Sequence, residues 1–264
     1  MNKKIVVMIF VMILMMMMIP GIVFADSTGE SSIKSAAQLK EAVNKGFEDG
    51  SLSESEKQQI IIHSSEGAIE TLLLQKIDLA VDVLNRRELM SEREDMGNGI
   101  RATSYSYDLG DHCELVVELH DQEEGKKTLS VGKRATSGSN TLWKGYGNRY
   151  FTAIVSVKCN VATVNFQLEN HYTLSSLGID ERYGVAFASC TVGNGILGKE
   201  KPVITDGSAR TVGESDVNMY CIFSCKSGTV GTNRYKLNTT VKYIDHDKMQ
   251  EKIKVGQQWN LVKV

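Results

Sequence analysis

The chemistry available to this chain depends first on its five histidines and five cysteines. A cysteine becomes a strong nucleophile when a histidine lies beside it and removes its proton. Cys190 is the best candidate, because it lies outside the clearly apolar strand faces and precedes Thr191, Val192 and Gly193. The same position fits a packed structural thiol, which is the interpretation we prefer.

Other catalytic patterns are absent from the sequence. There is no Gly-x-Ser-x-Gly elbow, Walker-type phosphate-binding loop or His-Glu-x-x-His motif. The two carboxylates of a glycoside hydrolase could come from Glu114, Glu118 or Glu169, but their spacing has no specificity. We expect surface positions for the histidines His63, His112, His120, His171 and His246. The sequence therefore predicts no catalytic residue, metal site or cofactor.

The cysteines carry a structural prediction. An odd count in an exported chain leaves at least one thiol without an intramolecular disulfide partner. Cys113, Cys159, Cys221 and Cys225 fall on apolar strand faces, which favours mostly reduced, buried thiols. Cys221 and Cys225 cannot pair, because four residues of strand separate their Cα atoms by roughly 13 Å and a bridge needs less than about 7 Å. Cross-strand disulfides, such as Cys159 with Cys190, are the alternative.

One segment has a composition that is typical of a binding surface. Residues 143–150 combine three aromatics, two cations and two glycines, and residues 169–172 add a histidine and a tyrosine at the end of a later strand. Exposed aromatics on sandwich loops often contact sugars or protein partners, although others anchor strand ends in the core. We predict binding residues at Trp143, Tyr146, Arg149, Tyr150, His171 and Tyr172.

The predicted secondary structure changes from helix to strand near residue 100. From there apolar residues alternate with period two, as in 113–119, 151–159 and 217–225. Further strands are predicted at 104–109, 128–133, 163–169, 185–190, 202–205 and 235–243. Short strands with Gly, Asn and Asp turns and no helical crossovers predict an antiparallel β-sandwich.

The preceding segment has helical periodicity. Ser35 caps a first helix that runs to Phe47, and Ser53 with Glu56 forms a capping box for a second. Residues 64–67 are a weak point where the second helix kinks or restarts. Residues 26–99 contain 15 acidic and 8 basic side chains, so this helical hairpin is acidic.

The first 25 residues predict export. Lys3 and Lys4 precede an apolar run at 5–19, and Ala25 ends a site suited to signal peptidase. The run is shorter than the roughly 20 residues of a membrane-spanning helix. We predict a secreted, extracellular protein with its signal peptide cleaved after Ala25, and an uncleaved anchor is the alternative.

The net charge of the chain narrows the classes of partner that we expect. Without residues 1–25, the chain has 28 basic and 32 acidic residues, which gives no electrostatic footprint for nucleic acid. The polar face of the second helix carries mostly acids, which argues against a membrane-surface helix. We therefore expect a cell-envelope polymer or a protein as partner, no nucleic acid, and no stable membrane insertion after signal cleavage.

The stretches at 145–153 and 169–173, behind a Met-rich signal peptide, resemble uncharacterised secreted proteins of Gram-positive, Clostridia-type bacteria, which form a domain-of-unknown-function family. The resemblance covers about residues 100–260. It implies bacterial origin and export, and it brings no activity and no catalytic residue.

These patterns together predict an α+β protein in which an N-terminal helical hairpin is followed by an antiparallel β-sandwich. The predicted divisions are a signal peptide (1–25), an acidic helical hairpin (26–99) and a β-sandwich domain (100–264). The function expected is a non-catalytic interaction module at or near the cell envelope. The alternatives are a secreted hydrolase of unrecognised class and a bacteriocin-like antagonist masked by the hairpin.

Overall fold

A computed structural model describes residues 32–48, 50–86, 91–95, 102–124, 139–191, 197–228 and 231–264. The helices are α1 (Ala36–Gly46), α2 (Glu54–His63) and α3 (Glu66–Arg86). The strands are β1 (Ser91–Asp95), β2 (Ala102–Asp108), β3 (Cys113–Glu123), β4 (Ser139–Gly145), β5 (Gly147–Cys159), β6 (Ala162–Ser175), β7 (Gly178–Cys190), β8 (Leu197–Lys199), β9 (Val203–Asp206), β10 (Ser208–Ala209), β11 (Asp216–Ser227), β12 (Gly231–Asp247) and β13 (Lys252–Lys263). The predicted signal peptide and the predicted strand at 128–133 lie outside the described residues.

The strands form two antiparallel sheets, which confirms the predicted α+β sandwich. The first sheet has the order β1-β2-β3-β5-β6-β7-β10, and the second has the order β4-β13-β12-β11-β8, with β9 also paired to β11. Their inner faces meet in an aromatic core, where the Phe166 ring lies 5.0 Å from Phe223 and 5.8 Å from Tyr235. Strand β1 falls inside the segment that was predicted to be helical.

The helices begin where their caps predict. The side chain of Ser35 accepts a hydrogen bond from the backbone of Gln38, and Ser53 forms the expected capping box with Glu56. The predicted second helix is two helices, because Ser64 adopts an extended conformation between α2 and α3. Ile33 occupies the break, where its backbone pairs with that of Ser64 as an isolated bridge. Among the described helices, none is long and apolar enough to cross a membrane.

Strand β13 has no counterpart in the sequence predictions, yet it pairs with both β12 and β4. Its apolar alternation is interrupted at Gly256 and Gln257. Gln257 nevertheless faces the interior, where its amide donates to the Tyr172 hydroxyl at 3.2 Å. A satisfied hydrogen bond lets a polar residue occupy an inner strand position, and this breaks the period-two signal.

Helix α3 packs against β5, β6, β11 and β13. Its Asp78 accepts a hydrogen bond from the hydroxyl of Tyr235 at 2.8 Å, and its Glu70 accepts one from the backbone of Gly228 at 2.9 Å. The buried residues of the helices and of both sheets belong to one hydrophobic cluster. The helices therefore cover one end of the sandwich.

The thiol prediction is wrong for two cysteines. Cys113 and Cys159 form a disulfide between β3 and β5, where they are direct cross-strand partners. The alternative of a cross-strand disulfide is therefore correct, but its example pair of Cys159 with Cys190 is wrong, because the register places Cys190 opposite Val164.

Cys221 and Cys225 are unbridged and fully buried, as predicted. Burial raises the pKa of Cys221 to about 11 and that of Cys225 to about 12, so both remain neutral thiols at physiological pH.

Candidate binding face on the first sheet

Strand register brings three rings together on the outer side of the first sheet. Tyr150 on β5 lies opposite His171 on β6, and His171 lies opposite Tyr183 on β7. The His171 ring stacks on Tyr150 with centroids 5.1 Å apart and on Tyr183 with centroids 4.3 Å apart. We call these three residues the aromatic row. Tyr183 is 44 % exposed, whereas His171 is 8 % exposed.

Carboxylates fix the central imidazole of the aromatic row. His171 Nδ1 lies 3.0 Å from Glu124 Oε1, and Nε2 lies 3.3 Å from Glu169 Oε2. Arg182 donates to both Glu124 oxygens at 2.6 and 2.7 Å, which is the main reason why the pKa of Glu124 lies below its ordinary value. The Arg182 guanidinium also lies 5.4 Å from the centre of the Tyr183 ring. These contacts hold the aromatic row in one orientation before any ligand arrives.

A groove of about 390 Å³ lies further along β5, β6 and β7 on the same side of the sheet. Its lining residues are Glu118, Ile154, Ser156, Lys158, Thr163, Asn165, Gln167, Phe187, Ala188 and Ser189. Phe187 is 50 % exposed and gives the groove an apolar wall. The Gln167 amide donates to Glu169 at 2.8 Å, and the Asn165 amide donates to Ser189 at 2.9 Å. We call the aromatic row together with this groove the outer face.

The outer face unites two of the six residues that the sequence predicted, Tyr150 and His171. Trp143 is 46 % exposed but lies on β4 in the second sheet. The Tyr146 hydroxyl lies 2.6 Å from His246 Nε2, in the crossing from β4 to β5.

The remaining two predicted binding residues lie inward. Arg149 is buried with one guanidinium nitrogen 3.3 Å from Glu123, and Tyr172 is completely buried. Residues 169–172 also lie within β6, not at its end. We therefore assign structural contacts to Arg149 and Tyr172 and do not include them in the outer face.

The prediction of surface histidines is wrong at two positions. His171 is buried in the aromatic row. His246 lies half-buried within β12, and its Nδ1 is 2.6 Å from the hydroxyl of Tyr243, so it bridges Tyr146 and Tyr243. His112 is exposed, but its ring stacks on Phe47 of the helical segment at 3.7 Å.

Tyr183 and Phe187 are the residues that sequence reasoning missed. Alternation along β7 places both on one face, and Phe187 lay within a predicted strand. Their alignment with Tyr150 and His171 depends on cross-strand register, which the chain's own periodicity does not encode across separate strands.

Further titratable groups occur on the same side of the first sheet as the outer face. His120 Nε2 lies 3.6 Å from Glu118 Oε2, and Glu169 lies one strand beyond Thr152, the register partner of His120. Within the described ranges, no three His, Cys, Asp or Glu side chains group closely enough to hold a metal ion. The arrangement is suited to hydrogen bonding and stacking.

Comparisons with protein-family models, curated proteins and solved structures find no match for this chain.

Proposed function

We propose that this is an exported, non-catalytic interaction protein that binds a glycan polymer of the cell envelope through its outer face. The single observation that carries the proposal is the aromatic row, which shares one side of the first sheet with a groove lined by the exposed Phe187 and by amide and carboxylate side chains.

The chemistry of the outer face suits a sugar polymer. The half-exposed Phe187 ring and the part of the Tyr183 ring that His171 does not cover offer flat apolar surface for the C–H face of a pyranose ring. Gln167, Asn165 and Glu169 supply donors and acceptors for hydroxyl and amide groups. The aromatic row spans three strands, or about 10 Å at the usual strand spacing, which suits an extended chain better than a small metabolite.

Export is supported by the leader-like composition of residues 1–25 and by the Cys113–Cys159 disulfide. Disulfides persist in oxidising compartments outside the cytosol. The resemblance to secreted Clostridia-type proteins supports a Gram-positive origin, and the near-neutral charge supports a partner other than nucleic acid.

The test is co-sedimentation of the purified chain with Gram-positive sacculi and, separately, with anionic liposomes. We expect saturable binding to sacculi only. Tyr183→Ala should weaken this binding about tenfold, because it removes one stacking surface. Trp143→Ala is the matched control, since it removes a similarly exposed aromatic from the other sheet and should leave binding unchanged. Absence of wild-type binding to sacculi would refute the proposal.

A secreted hydrolase is the second candidate, because Glu118, Glu169 and His120 lie on the same side of the first sheet as the outer face. It predicts turnover of wall glycan that Glu169→Gln or Glu118→Gln abolishes while binding persists. Turnover of that kind would replace the non-catalytic proposal.

A further inference from the structure

A lysine and an aspartate meet inside the sandwich, away from the outer face. Lys144 Nζ on β4 contacts Asp121 Oδ2 on β3, so the contact joins the second sheet to the first. The Lys144 side chain is 1 % exposed and that of Asp121 is 8 % exposed. Both groups are thus removed from water. An ion pair is costly to maintain in such a buried environment.

The other oxygen of this carboxyl is held by a chain of hydrogen bonds. The Tyr172 hydroxyl donates to Asp121 Oδ1 at 3.2 Å, and the Gln257 amide donates to the Tyr172 oxygen at 3.2 Å. A donor on Oδ1 draws electron density from the carboxyl carbon and makes it a better electrophile. The amine contacts the opposite oxygen, so both reacting groups are already in place.

The buried environment favours the uncharged forms of Lys144 and Asp121. Burial lowers the pKa of Lys144 well below its ordinary value, and the nearby Arg149 charge lowers it further. The charge of Asp121 opposes that shift until the proton passes from the amine to the carboxylate. The transfer leaves an uncharged amine next to an uncharged carboxylic acid, which an apolar interior accommodates better than two ions.

We propose that Lys144 and Asp121 form an intramolecular isopeptide bond. The lone pair of the neutral Lys144 Nζ adds to Asp121 Cγ, and Tyr172 stabilises the negative charge that develops on Oδ1. Nζ then gives up one of its two protons, which joins the departing Oδ2 hydroxyl to form water, and the amide keeps the other proton as its N–H. One C–N bond forms, one C–O bond breaks, and no oxidant or reductant is consumed.

This bond gives the sandwich a cross-link of a kind that its disulfide does not provide. Cys113 and Cys159 lie within the first sheet, whereas Lys144 and Asp121 connect the two sheets across 23 residues of sequence. In the described part of the chain, β4 is an edge strand that pairs with β13. The cross-link therefore anchors the edge of the second sheet, and reducing agents do not cleave it.

The test is the intact mass of the purified, reduced and denatured chain, compared with the mass calculated from its observed N-terminus. We expect the measured mass to be lower by one water molecule. Tryptic digestion should show no cleavage after Lys144 and a branched peptide that contains Asp121. A wild-type mass equal to the calculated one would overturn the proposal, whether or not any variant folds.

Substitutions test which two residues form the bond. Lys144→Arg and Asp121→Ala should both show the full calculated mass, and Tyr172→Phe should slow the loss of water in freshly refolded protein. Lys76→Arg is the matched control, because Lys76 is a buried lysine that lies 2.9 Å from a more exposed carboxylate, that of Asp111. It should retain the mass deficit, and a deficit that persists in Lys144→Arg would contradict the assignment.

Discussion

At the scale of single residues, Glu181 on β7 is the most unusual titratable group of the described interior. Both carboxyl oxygens and the Oδ1 atom of Asn170 are buried and make no hydrogen bond of good geometry, although the Asn170 side chain lies close enough to act on the carboxyl group. Burial raises the pKa of Glu181 to about 8, with a further rise from Asp206 and partial opposition from Asn170. A protonated Glu181 has the O–H donor that Asn170 Oδ1 lacks, so the neutral acid suits this site.

This shift predicts how stability depends on pH. The folded pKa of about 8 exceeds the ordinary value of 4.5, so between these values the folded state binds more protons than the unfolded state. The free energy of unfolding should therefore fall as the pH rises through this range, by at most about 1.4 kcal/mol per pH unit. The Glu181→Gln variant should lack this pH dependence. Above about pH 8 it should be more stable than the wild type. Urea unfolding across this range measures both, and parallel profiles for the two proteins would argue against a protonated Glu181.

His171 belongs to the candidate site, but not for the reason that the sequence suggested. Its proximity in sequence to Tyr172 suggested an exposed aromatic cluster. The structure separates the two, because neighbouring residues on a strand face opposite sides. His171 joins the aromatic row, and Tyr172 supports the buried Asp121.

At the scale of elements, Lys76 of α3 fastens the helices to the turn between β2 and β3. Its ammonium donates to the carbonyls of Leu109 at 2.7 Å and Gly110 at 2.8 Å, and lies 2.9 Å from Asp111. The hydrogen bond from Lys76 is the main reason why the pKa of Asp111 lies below its ordinary value. A buried cation with three oxygen partners is costly to truncate, since the oxygens lose their donor.

Lys76→Met should therefore lower the free energy of unfolding by about 2–4 kcal/mol. Chemical denaturation measures the change. Lys57→Met is the control on α2, where an ion pair with the exposed Glu54 at 2.5 Å should contribute less than about 1 kcal/mol. Equal effects of the two substitutions would show that Lys76 does not fasten the helices.

The elements also show what the sequence could predict. Local signals sufficed for the caps at Ser35 and Ser53 and for the alternating strands, because these depend on neighbours within a few residues. Strand β13 was missed because Gly256 and Gln257 interrupt its apolar pattern. The Cys113–Cys159 bridge and the position of Tyr183 both follow from strand pairing over long sequence separations, which local patterns do not determine.

At the scale of the whole molecule, the helices and the sheets share one hydrophobic cluster. A chain that starts at residue 100 lacks α1, α2, α3 and β1, and it exposes the strand ends that α3 contacts. We expect this truncated chain to bind a hydrophobic dye and to unfold at lower denaturant than the intact chain. Equal unfolding midpoints would instead support two independent domains and leave room for a removable masking segment.

The outer face lies on the first sheet, whereas the Lys144–Asp121 contact and the helices support the interior and one end of the sandwich. Substitutions on the outer face should therefore change binding without changing stability. This separation makes the binding proposal testable without loss of the fold.

The most direct measurement is a binding isotherm on Gram-positive sacculi for the wild type, for the double variant Tyr183→Ala/Phe187→Ala, and for Trp143→Ala. The proposal predicts that the double variant loses binding at least about tenfold while unfolding at the wild-type midpoint, and that Trp143→Ala binds normally. Binding that is lost only in Trp143→Ala would place the site on the second sheet and contradict the assignment to the outer face.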